Sequence, residues 1–110
     1  MSLAKLMIAF GVLGFACPAY AVGNADTGRQ LAMRSCISCH AAAGSTTASD
    51  GAPPLSFVAR DNKQNPAWIR GWLMDPHPPM PGIMLSRQQI EDIVAYLSAL
   101  SDETSVRDSR

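Results

Sequence analysis

Cys36-Ile37-Ser38-Cys39-His40 sets two thiols three positions apart, with an imidazole directly after the second. Thiols at that spacing can reach the two vinyl groups along one edge of a porphyrin. The next residue can then swing its imidazole under the ring toward the iron. This string is the pattern of a covalent haem attachment site. Two rival chemistries could use the same residues. A redox dithiol calls for a βαβ setting, and the flanks here read as helix followed by loop. A structural zinc needs four ligands, and Cys36, Cys39, His40 and His77 could supply four only if the fold gathers them. A disulfide between Cys36 and Cys39 would close a tiny loop and stabilise little.

Three helical patterns flank these residues. The first runs from about Asp26 to Ser35, with Asn24 or Asp26 as N-cap. Gly28 and Ala32 fall four apart on one of its faces. The second opens with Asn65 as N-cap and Pro66 at the first helical position. Ile69, Trp72 and Leu73 form its apolar stripe, and Asp75-Pro76 ends it. The third carries an S-x-x-Q capping box, Ser86 to Gln89. Ile90, Ile93, Val94, Leu97 and Leu100 then recur at helical spacing. The polar tail 103–110 is expected to fray. Residues 41–50 read as a flexible loop. Residues 76–81 (PHPPMP) can be neither helix nor central strand. No alternating run argues for a sheet, so the fold class is all-α, three to four short helices with long loops.

The 110 residues allow one domain, with 47% hydrophobic and 16% charged residues. Nine basic and nine acidic residues cancel, and no charge run points to nucleic acid or an anionic membrane. Residues 1–21 read as a cleavable signal peptide. Lys5 supplies the positive start, residues 6–16 the apolar core, and Ala19-Tyr20-Ala21 the small residues before cleavage. That apolar run is short of the ~20 residues a membrane span requires. Gly14 stands where a lipoprotein signal usually carries Leu, which argues against Cys17 as a lipid acceptor. Export is the setting this haem attachment needs, and it makes the expected location periplasmic. The domain proper is then residues 22–102. A chain that small builds only a thin core of its own, and a covalently held haem would supply the missing apolar centre.

Taken together, these features resemble the class I cytochrome c family over nearly all of residues 23–102. The attachment string follows one short helix near the N-terminus. Met80 lies in a proline-flanked loop before the last helix. That last helix carries an aromatic, Tyr96, within Ile93-Val94-Ala95-Tyr96-Leu97. Gly28 matches the family's glycine at a close crossing of the first and last helices. Ala32 stands where many members carry an aromatic, so the crossing should lean on Leu31, Ile93 and Tyr96.

The resemblance implies one haem c, bound at Cys36 and Cys39, with His40 and a methionine as axial iron ligands. Met33 is too close to the attachment string to cross the ring, and Met74 is expected to face its helix neighbours. Met80, stiffened by Pro78, Pro79 and Pro81, is the expected ligand, and Met84 is the alternative. His77 reads as a solvent-facing loop residue. Gly51-Ala52-Pro53-Pro54-Leu55 looks like the family loop whose carbonyl accepts from the ligand imidazole. Pro53 is the expected acceptor, and Leu55 is expected to pack on the haem. Trp68 and Trp72 share one helix face and read chiefly as core. The sharper reading gives Trp68 an indole N–H bond to a haem propionate.

Two filled axial sites imply a carrier of single electrons between redox partner proteins, not an enzyme. The alternatives are a subunit docked on a dehydrogenase or oxidase, or an enzyme with a displaceable sixth ligand. The chain is expected to be a monomer or to form transient complexes, with no nucleic acid and no lasting membrane insertion.

Overall fold

Our computed structural model describes residues 22–41, 52–75, 78 and 80–110. The expectations for segment 1–21, for Cys17, for Gly51 and for His77 lie outside the described residues. Asn24 caps the first helix, accepting from the Thr27 amide at 2.9 Å, and α1 runs Ala25–Ser35. Next come α2, Leu55–Gln64, and α3, Pro66–Met74. In α3 the Asn65 side chain accepts from the Trp68 amide. The last helix, α4, spans Arg87–Asp108. Its capping box is complete: Gln89 N–H donates to Ser86 Oγ at 3.2 Å, and Ser86 N–H to Gln89 Oε1 at 2.8 Å. Among the described residues there is no strand, and no helix is long and apolar enough to cross a membrane.

α4 is the platform, and α1, α2 and α3 all pack against it. Its stripe of Ile90, Ile93, Val94, Leu97 and Leu100 is buried throughout. Each such side chain contributes ~1.5–3 kcal/mol of burial. Leu31 and Ala32 from α1, Leu55 and Ala59 from α2, and Ile69 from α3 complete the cluster. The α1–α4 crossing is backbone to backbone. A Cβ on Gly28 would fall on the Asp92 carbonyl, and one on Gly23 on the Glu91 carbonyl. Leu31, Ile93 and Tyr96 are buried around the crossing. The buried Asp92 carboxylate also accepts from the Asn24 amide at 2.7 Å, which pins the start of α1.

Two features differ from the sequence reading. α2 falls where no helical pattern was read, because Asn62 on its buried face breaks the apolar stripe. Its Nδ2 donates to the Val94 carbonyl at 3.3 Å and to Ser98 Oγ at 3.1 Å. Among the described residues its buried Oδ1 has no partner, which costs ~1–3 kcal/mol. The tail is also helical: α4 continues to Asp108. Thr104 and Ser105 hydroxyls bond back to the Leu100 and Ser101 carbonyls, Glu103 pairs with Arg107, and Asp102 meets Lys63 of α2 at 3.2 Å.

Gly28→Ala should destabilise the protein by ~1–3 kcal/mol or more, because two helix backbones rather than a flexible side chain must move. Urea denaturation measures it. A second expectation concerns acid. Arg70 donates to both carboxylate oxygens of Glu91, at 2.8 and 3.0 Å, and holds that carboxyl below the usual carboxylate range. The folded value lies below the unfolded ~4.3. The pair's contribution is therefore complete above ~4.3 and is lost as pH falls through the lowered value. Both side chains are about a third exposed, so it amounts to at most ~1 kcal/mol. Glu91→Gln should lower the urea midpoint slightly at pH 7, and its difference from the unmodified protein should shrink as the pH falls below ~4.3.

Candidate haem site

α1 hands the chain directly to the attachment string, with Cys36 as its C-cap. The Cys36 N–H still bonds to the Ala32 carbonyl at 2.8 Å. The Cys36 carbonyl then accepts from both the Cys39 and the His40 amides, at 3.2 and 2.8 Å. This turn keeps residues three apart on one side, so both thiols and the imidazole reach the wall of a single cavity of about 550 Å³. That volume lies within the ~300–1,000 Å³ of cofactor sites. α2 and α3 contribute Leu55 and Ile69, α4 contributes Ile93 and Leu97, and the chain before α4 contributes Met80 and Ile83.

His40 Nδ1 lies 2.7 Å from the Pro53 carbonyl oxygen. A carbonyl only accepts, so Nδ1 carries the proton and donates. The neutral ring then has Nε2 as its lone-pair nitrogen, the state a metal ligand requires. Neither Cys36 nor Cys39 is in a disulfide, and burial pushes the Cys36 thiol up. Among the described residues, no group of three or more His, Cys, Asp or Glu side chains is gathered as a metal ion would need. Apolar walls and an imidazole with a defined tautomer fit a haem better than either rival.

The methionines separate by position. Met80 is half-buried on the cavity wall, whereas Met84 is 98% exposed. Met33 packs against the core cluster. Met74 does not face its neighbours as expected. It is exposed at the last turn of α3. The core reading of the tryptophans also needs correction. Trp68 is 48% exposed, and it meets Trp72 edge to face at 5.1 Å on the cavity wall. Their shared face looks into the cavity because Ile69, one position on, takes the contact with the core. Leu55 is buried and lines the cavity, as does Pro53. Val58 and Asp61 of α2 also line it. The sequence carried no signal for either, since α2 itself was not legible.

Comparison with known proteins agrees with this geometry. The cytochrome c family matches residues 25–101. The chain is 41% identical over 78 residues to cytochrome c-552 of Bradyrhizobium diazoefficiens, covering 70% of this chain and 75% of that protein. No solved structure gives a significant match. Because the family match runs from the first residue of α1 to the last buried residue of α4, it takes in every wall of the cavity, and the chain belongs to the cytochrome c family, whose members carry electrons on a covalently bound haem c.

Proposed function

We propose that this cytochrome shuttles single electrons between periplasmic redox partners, with its iron held between His40 and Met80. The observation that carries this reading is the 2.7 Å bond from His40 Nδ1 to the Pro53 carbonyl. It aims Nε2 as a ligand while the Met80 thioether borders the same cavity. When bound, the group supplies one-electron exchange between ferrous and ferric iron, and a thioether ligand raises its potential. Cys36 and Cys39 hold it covalently. His40 and Met80 together leave no position for a small oxidant, which suits a carrier. Leu55 would pack on the ring. Trp68, where the cavity meets solvent, would offer its indole N–H to a ring carboxylate. A leader cleaved after Ala21 would place the protein in the periplasm.

Docking follows from charge. Only one lysine, Lys63, lies beyond the leader. Gathering of Arg60, Lys63 and Arg70 into a basic patch would give steering. Arg70 is instead paired with Glu91, Lys63 with Asp102, and Arg60 sits over the Phe57 ring at 4.2 Å. Ile37, 40% exposed beside Cys36, and the exposed Pro78 and Pro81 favour an apolar contact near the attachment edge.

Met80→Ala should abolish the weak near-infrared sulfur-to-iron band of the oxidised protein and lower its potential. Met84→Ala should leave both unchanged, and the reverse pattern would move the ligand to Met84. The second-order rate with a partner should change less than about tenfold from low to physiological salt. A larger fall is the signature of electrostatic steering and would return the docking site to the basic residues.

A further inference from the structure

We infer that Asn62, outside the cavity, is a positioning residue for His40 and thereby helps set the reduction potential. The inference rests on His40 being the iron ligand. The chain entering α2 holds the end of the attachment string in two places. His40 Nδ1–H donates to the Pro53 carbonyl at 2.7 Å, and the Leu55 N–H donates to the Ala41 carbonyl at 3.0 Å. The orientation of the imidazole is thus referred to α2. That helix has no side-chain cap at its N-terminus, where Pro54 stands. Its apolar contacts, Leu55 and Ala59, are non-directional and would tolerate a small roll or slide on α4.

Asn62 is the directional contact. It is fully buried two turns after Leu55, and its amide bonds both a backbone carbonyl, Val94, and a hydroxyl, Ser98, of α4. Ser98 Oγ in turn donates to the same Val94 carbonyl at 3.0 Å. Oδ1 meanwhile is buried and has no partner among the described residues. An apolar side chain of similar size would avoid that orphaned oxygen, so Asn62 is a poor choice for stability alone. Its hydrogen bonds fix register, a use of buried polar groups that specifies geometry at a cost in stability. Through α2 the register reaches the Pro53 carbonyl, and through that carbonyl the basicity of the imidazole. A firmly accepted Nδ1–H makes the ligand more basic and favours ferric iron.

The test uses the haem-loaded protein and the variants Asn62→Leu and Ser98→Ala. The readouts are urea midpoint, exchange of the His40 Nδ1–H proton by NMR in the ferrous state, and reduction potential. Asn62→Leu should keep or raise the midpoint. It should also speed Nδ1–H exchange about tenfold, the factor equivalent to one ordinary hydrogen bond, and shift the potential upward. Ser98→Ala, at an exposed position, should move exchange and potential the same way by less, and it decides the matter if Asn62→Leu does not fold. Exchange and potential that stay at the unmodified values, with or without a change in midpoint, would overturn the inference and leave Asn62 a packing residue. Failure of the ligand reading looks different: the His40 ring protons of the unmodified ferrous protein would then lack the strong upfield shifts of an imidazole held over a porphyrin.

Discussion

The backbone contact between α1 and α4 is the constraint on which the rest of the molecule depends. Gly28 lies so close to the Asp92 carbonyl that no side-chain carbon fits between the helices. Because the two helices touch there, α1 is directed so that its C-cap, Cys36, arrives at the cavity wall. Ile93 and Leu97, on the same helix as Asp92, form another part of that wall. Asp92 adds a second anchor by accepting the Asn24 amide, so α1 is held at its start as well as at its waist. Hydrophobic burial supplies most of the stabilisation. The close approach supplies the geometry, because packed backbones cannot slide past one another without a clash.

Fixed polar contacts then specify what apolar packing leaves loose. The Pro53 carbonyl selects the tautomer of His40. Asn62 ties the helix that follows Pro53 to α4. Arg70 and Lys63 each bind an acid of α4, which joins α3 and α2 to the platform and removes two cations from the free surface. These pairs are exposed enough to add little energy. Their larger consequence is electrostatic, since a cation beside an acid adds little to a long-range field of one sign.

Three of the four helices were legible in the sequence because local chemistry marks their ends. Asn24, Asn65-Pro66 and the Ser86–Gln89 box all cap as their types allow. α2 was not legible. Its buried face reads Leu55, Val58, Ala59, Asn62, and a polar residue in the deepest position breaks the periodic signal. The end of α4 was misjudged for a related reason. Polarity was taken as fraying, while hydroxyls bonded to preceding carbonyls and one long-range pair extend the helix. Trp68 and Trp72 carry the right composition for a core. Their helix is rotated so that Ile69 takes the core instead.

By itself the sequence determined the chemistry of attachment, the all-helical class and the glycine at the helix crossing. Each depends on residue types at short spacing, and bond lengths and helical period translate that spacing directly into geometry. Only the tertiary structure decided which methionine borders the cavity and which points to solvent. It alone also showed which nitrogen of His40 carries the proton and which arginines and lysines have a partner. The prolines around Met80 favoured it over Met84, but proline stiffness alone does not place a side chain on a cavity wall. What separates them is the path of the chain into α4, set by contacts between residues far apart in sequence. Asn62 and Asp92 belong to the same class. A buried polar side chain is functional or costly according to what lies opposite it, and that partner is chosen by the fold.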